Sequence, residues 1–137
     1  MIGKEKKKKK LKEYYLKRPL ETKSAANYIR GTLATALRKN PYQTNLLLGG
    51  YDKETGGSLY FIDYLSSMQK VNFGAHGYGG YFSLSIMDKY YHDDLTLDEA
   101  KDIMKKCIAE IQKRLLLNSP AFIYKVITKD GIEVIKL

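Results

Sequence analysis

The sequence predicts an α+β fold of stacked layers, and three observations carry that prediction. Strand-like segments come in groups and helix-like segments in a pair, without the strict alternation of a βαβ protein. The strand segments are apolar on both faces: Phe122, Ile123, Tyr124, Val126 and Ile127 are interrupted by Lys125 alone. A strand of that kind needs cover on two sides. The length, 137 residues, suits one domain with one core. Hydrophobic residues at 44% and charged residues at 28% belong to a globular chain, not a disordered one.

The chain divides at its start. Residues 1–18 read as a basic low-complexity arm, with the run KEKKKKKLK at 4–12, which repels itself and has almost nothing to bury. A solvated arm or a gene-model artefact is the plain reading of the run; a nuclear-import or polyanion-binding tail is the other. Pro19 bars a helix from continuing through Leu16, Lys17 and Arg18. Residues 19–137 then form one partial domain.

From Thr22 the spacing becomes helical, with Ala25, Tyr28, Ile29, Leu33, Ala36 and Leu37 predicted on one face. Ser24 or Thr22 can cap its start, and Asn40-Pro41 ends it. A strand is predicted from Gln43 to Leu48, bounded by Gly49-Gly50. Asp52 to Gly57 is turn chemistry, and Ser58 to Tyr64 reads as the returning strand of a hairpin. Met68 to Phe73 is a third short strand. The glycine corner from Gly74 to Gly80 leads into a helix of about Tyr81 to Tyr91. Thr96-Leu97-Asp98-Glu99 is a capping box. The stripe Leu97, Ala100, Ile103, Met104, Cys107, Ile108, Ile111 and Leu115 follows it, and Lys105, Lys106, Lys113 and Arg114 lie toward the negative end of the helix. Phe122 to Thr128 and Ile132 to Leu137 flank Lys129-Asp130-Gly131, a strong hairpin signal. Three helices can barely cover both faces of a five-stranded set. The chain reads as though part of its sandwich is missing or is supplied by a neighbour.

The net charge of +9 suggests nucleic acid until it is located. The first 18 residues hold nine Lys and Arg against two Glu, whereas the other 119 hold 15 against 13. The basicity belongs to the arm, not to a folded face. No apolar run is long enough to cross a membrane, and no apolar h-region follows the basic start, so a secretory signal is not expected. The lone Cys107 excludes an internal disulfide and a cysteine-based zinc site.

No residue set adds up to an active site. Gly77-Tyr78-Gly79 would need glycine at 82 to complete a dinucleotide fingerprint, and position 82 is Phe. No Lys-Ser/Thr pair follows, so it is not a Walker loop. An anion site at the helix start is the functional reading of the corner, and a turn needing positive φ the plainer one. His76 and His92, the latter before Asp93-Asp94, lack the helical spacing that gives a metal its geometry; the two aspartates favour the start of the next helix instead. Cys107, inside an apolar stripe, behaves as a small hydrophobe with a raised pKa. Ser66-Ser67 and Ser83 have no evident His–carboxylate partners. Twelve tyrosines, among them Tyr78, Tyr81, Tyr90 and Tyr91, suggest contact surfaces with polar tips.

Several stretches in one order resemble the beta-type subunits of the 20S proteasome, nearest to their non-catalytic members. They are Pro41-Tyr42, then Asn45 to Leu48 with Gly50-Tyr51-Asp52, Leu59-Tyr60 with Asp63-Tyr64-Leu65, and Ala75 to Gly79. Leu84-Ser85-Ile86 with Asp88 and Tyr90-Tyr91 follows, and Lys106-Cys107 before Gln112-Lys113-Arg114 completes the set. The similarity runs from about Ser24 to Gly131. It implies a four-layer αββα sandwich of the N-terminal-nucleophile-hydrolase type, here N-terminally truncated. It also implies a place in heptameric rings with other alpha- and beta-type subunits, at the fourth position of the beta ring, in the cytoplasm and nucleus.

The departures from that family pattern carry equal weight. The first strands, which in active members hold the nucleophilic threonine, its lysine and an aspartate, have no counterpart here. Active members also carry a serine in the glycine corner, where this chain has Tyr78. Where they have an aspartate and a serine before a glycine pair, this chain reads Leu115-Leu116-Leu117-Asn118-Ser119-Pro120. Gly77, Tyr78, Gly79 and Gly80 are thus expected to form a degenerate, active-site-like loop, with no catalytic residue, cofactor or metal. The expected function is a structural, non-catalytic subunit of a threonine-type endopeptidase complex that degrades ubiquitin-tagged proteins. A small basic-tailed nucleic-acid-binding domain is the alternative, and a hydrolase with an unrecognised nucleophile is a third reading.

Overall fold

The computed structural model describes residues 20–115 and 122–136. The basic arm at 1–18, the domain start at 19 and the segment 116–120 compared above with active members lie outside the described residues. The elements follow in the order α1 (Thr22–Leu37), β1 (Leu46–Asp52), β2 (Gly56–Ile62), β3 (Met68–Val71), α2 (Tyr78–Tyr90), α3 (Leu97–Arg114), β4 (Ile123–Thr128) and β5 (Gly131–Lys136). The order matches the sequence reading. The five strands form one antiparallel sheet of three, β1-β2-β3, and a separate hairpin, β4-β5.

Helix α1 lies on one face of the larger sheet. Ala26 and Ile62 are fully buried there, with Leu33 and Tyr60 beside them and Ile29, Leu46, Leu48 and Met68 packed around. The core line of α1 is Thr22, Ala26, Ile29, Leu33, an i, i+4, i+7, i+11 row. Tyr28, expected on that face, is 71% exposed. Two residues separate it from Ala26, which on a helix turns it to the opposite side.

The start of α1 also differs from expectation. Neither Ser24 nor Thr22 caps it by a side chain. Instead the Asp52 carboxylate, at the end of β1, accepts from the Thr22 N–H at 3.1 Å through either oxygen. A carboxylate at that position satisfies an orphan helix donor and faces the positive end of the dipole. The cap therefore ties the first helix to the first strand across 30 residues.

That tie explains why β1 runs through Gly49-Gly50 rather than stopping before them. The pairing Leu46↔Ile62 through Asp52↔Gly56 puts Gly50 on the α1 face and Gly49 on the other. A Cβ at Gly50 would collide with the Thr22 side chain, and one at Gly49 would come within 3.2 Å of Ile127 Cδ1 on β4. Glycine inside a strand often marks such close approach of a neighbour. Here two adjacent glycines admit one neighbour on each face.

On that second face Gly74 abuts Leu47, Phe61 and Val71, so the chain after β3 folds back across the sheet. In the hairpin, Ile127 pairs with Ile132 and Lys125 with Val134, which sets these four residues on the side facing Gly49. Tyr124 and Val126 take the opposite side, and Tyr124 is within electrostatic reach of Lys105 and Cys107 on α3. The loop between the strands is Lys129-Asp130, with Gly131 (φ +123°) opening β5.

Helices α2 and α3 pack antiparallel through small residues. Gly79 sits against Ile111, Ser83 beneath Cys107, and Met87 against Ile103 and Cys107. The capping box is present as read: the Glu99 N–H donates to Thr96 Oγ1 at 3.3 Å, and the Thr96 N–H donates to Glu99 Oε2 at 2.8 Å. The buried stripe is narrower than predicted, since Leu97 and Met104 are 49% and 42% exposed. Among the described residues neither Asp93 nor Asp94 makes a side-chain hydrogen bond to this helix start. Asp93 accepts from the Tyr91 hydroxyl at 3.0 Å, and Asp98 and Glu99 occupy the first turn instead.

Candidate functional site

The glycine corner is the most site-like feature the sequence offered, and it is shorter than expected. Helix α2 begins at Tyr78, three residues before the predicted start, so Tyr78, Gly79 and Gly80 are its first turn. Gly77 is its N-cap at φ +78°, a conformation that glycine adopts without penalty. The Gly80 N–H donates to the Gly77 carbonyl at 3.0 Å, closing the turn. The positive φ and the tight contact of Gly79 with Ile111 account for these glycines as a helix start packed against α3.

A shallow hollow of about 360 Å³ opens beside this turn, lined by Ala75, His76, Gly77, Tyr78, Gly80, Tyr81 and Leu84. Its chemistry is spare. Tyr78 and Tyr81 are 82% and 80% exposed and project outward. His76 is the one imidazole in the hollow, and its ring stacks on Phe61 with centroids 4.1 Å apart. Its Nε2 lies 3.0 Å from the Leu46 carbonyl oxygen, which can only accept, so Nε2 carries the proton and donates. That bond pins the corner to the start of β1. His76 thus joins the fold-back segment to the sheet.

The remaining candidates are scattered. Cys107 is 2% exposed; its Sγ–H donates to the Ser83 carbonyl at 3.8 Å, and burial pushes its thiol pKa up, the opposite of an activated thiol. Ser66 stands at φ +68°, and its buried hydroxyl has no hydrogen-bond partner among the described residues. The backbone around it is held by Asp63, whose Oδ1 accepts from the Ser67 N–H at 2.8 Å, and by Arg30, whose Nε donates to the Ser66 carbonyl at 3.2 Å. Nothing in the sequence signalled that conformation. Among the described residues no side-chain hydrogen bond joins Ser66, Ser67 or Ser83 to a histidine, and no three His, Cys, Asp or Glu side chains come together as a metal cluster. No described helix is long and apolar enough to cross a membrane.

Among the described residues, these contacts are packing contacts between elements. A family profile described as "Proteasome subunit" matches residues 3–127, so the match takes in the basic run as well as the folded part. The chain is 56% identical over 113 residues to "Proteasome subunit beta type-2-B" of Arabidopsis thaliana, covering 82% of this chain and 57% of that one. It is 45% identical over 120 residues to "Proteasome subunit beta type-2" of Dictyostelium discoideum, covering 85% and 60%. With "Proteasome subunit beta type-4" of Saccharomyces cerevisiae it shares 39% over 115 residues, covering 82% and 58%. The chain thus spans a little over half the length of the curated relatives it matches. With a family match across most of its residues, the chain belongs to the proteasome subunit family, on its beta-type side.

Proposed function

We propose that this chain is a non-catalytic, structural subunit of the 20S proteasome core particle, corresponding to beta type-2. One observation carries the reading: 56% identity over 113 residues to a protein of that name. Its work is assembly. It contributes interfaces to heptameric rings of alpha- and beta-type subunits, at the fourth position of the beta ring, in a threonine-type endopeptidase complex of cytoplasm and nucleus. Permanent interfaces of this kind bury on the order of 2,000 Å² or more in total. The corner Gly77, Tyr78, Gly79 and Gly80 is then the degenerate counterpart of the active-site loop in catalytic relatives, with Tyr78 where they carry a serine.

The fold reading goes with it. Helix α1 against β1-β2-β3, that sheet meeting β4-β5 at Gly49 and Ile127, and Tyr124 turned toward α3 are the contacts expected of a four-layer αββα sandwich of the N-terminal-nucleophile-hydrolase type. We take these 137 residues to be part of such a sandwich, without the family's first strands. Two facts support this: the share of the relatives' length that is matched, and the exposure of Ile123, Ile132 and Val134 at 55–65% on a hairpin that should be covered. The basic-tailed nucleic-acid-binding alternative is not favoured, because the family match extends through the near-neutral folded part.

The test is capture of the endogenous protein by a C-terminal tag from its own cells, followed by native mass spectrometry. Recovery in a complex with the full set of alpha- and beta-type subunits is expected, with the tagged subunit heavier than 15.7 kDa once the tag is subtracted. A free 15.7 kDa chain without ring partners overturns the assembly reading. A ring-bound chain of that mass overturns only the missing-strand reading.

A further inference from the structure

We draw no further inference here: the strongest candidate, the open cleft of about 450 Å³ where the two sheets meet, lined by Gly49, Ser58, Lys70, Asn72, Lys125 and Ile127, offers exposed lysines beside an unpartnered apolar face, and nothing in the structure shows what covers it.

Discussion

The half built on α1 and the three-stranded sheet is held differently from the half built on α2, α3 and the terminal hairpin. In the first, the ties span long stretches of chain. Asp52 caps α1 from 30 residues away, Arg30 reaches the Ser66 carbonyl across 36, and His76 grips the Leu46 carbonyl across 30. In the second, the polar contacts are mostly local: the capping box, the i,i+3 pairs Lys101–Asp98 and Lys105–Asp102, and the i,i+4 pair Arg114–Glu110. Exposed ion pairs of that spacing contribute little to stability. The first half thus owes its shape to tertiary contacts and the second to helix chemistry plus one small core. The hairpin owes least to its surroundings, since Ile123, Ile132 and Val134 stay 55–65% exposed.

The largest expected effect comes from the first half's centre. Ile62 is fully buried between α1 and the sheet, so Ile62→Ala should cost about 2–5 kcal/mol, transfer and cavity together. Ile103, 8% exposed in the α2–α3 core, should fall at the lower end of the same range when cut to Ala. Urea titration followed by far-ultraviolet circular dichroism measures both. Equal losses at the two sites would erase the distinction between the halves.

Next is the glycine pair of β1. Gly50→Ala should destabilise by about 1–3 kcal/mol, because the new methyl group must displace the start of α1. Since Thr22 is the obstacle, Thr22→Ala should recover part of that loss. The double mutant then costs less than the sum of the singles. Strict additivity would mean that α1 does not need the close approach read from the structure.

How much of this was legible in the sequence depended on how local the cause is. The capping box of α3 is written within four residues, 96–99, and the Asp-Gly signal of the last hairpin within three, 129–131; both are present. On α1 the reading placed Ile29 and Leu33 correctly but put Tyr28 inside and missed Ala26, because only the opposing sheet decides between those two. The Thr22–Asp52 cap was invisible for the same reason, its partner being 30 residues away. Gly49-Gly50 looked like a strand terminator, because the sequence shows neither Thr22 on one side nor Ile127 on the other. For the candidate site, the glycine corner was found but its helical share was not. Gly79 and Gly80 lower helix propensity, yet the first turn that holds them packs Gly79 against Ile111 and Gly80 against Ala75.

A smaller effect should appear in acid at the start of α3. The Thr96 hydroxyl and then the Thr96 N–H donate to Glu99, holding its carboxyl below the usual glutamate pKa. A folded value below the unfolded one adds stability that is complete above the ordinary pKa of about 4.3. That stability is lost as pH falls through the folded value. Amides in the first turn of α3 should therefore lose protection, relative to their intrinsic exchange rates, as pH falls below about 4. Glu99→Gln should remove most of that pH dependence. Thr96→Ala should cost about 1 kcal/mol at neutral pH. An α3 start whose protection is unchanged across that range would show that the capping box does not set its stability.

The smallest stability effect belongs to the hairpin, and it separates the isolated chain from the assembled one. Ile132 is 65% exposed, so Ile132→Ser has little burial to lose and should shift stability of the isolated chain by less than about 0.5 kcal/mol. If the proposed sandwich is completed by further strands or by a neighbouring subunit, the same side chain becomes buried in the particle. An uncompensated hydroxyl there costs about 1–3 kcal/mol on top of the lost apolar contact. Incorporation of the tagged variant into the core particle, measured in competition with the unaltered subunit, should then fall about tenfold or more, although the isolated chain scarcely notices the change. Equal incorporation of variant and parent would mean that this face of the hairpin stays in water even in the particle. Its apolar character would then have no assembly role, and the exposed isoleucines would need an account other than missing cover.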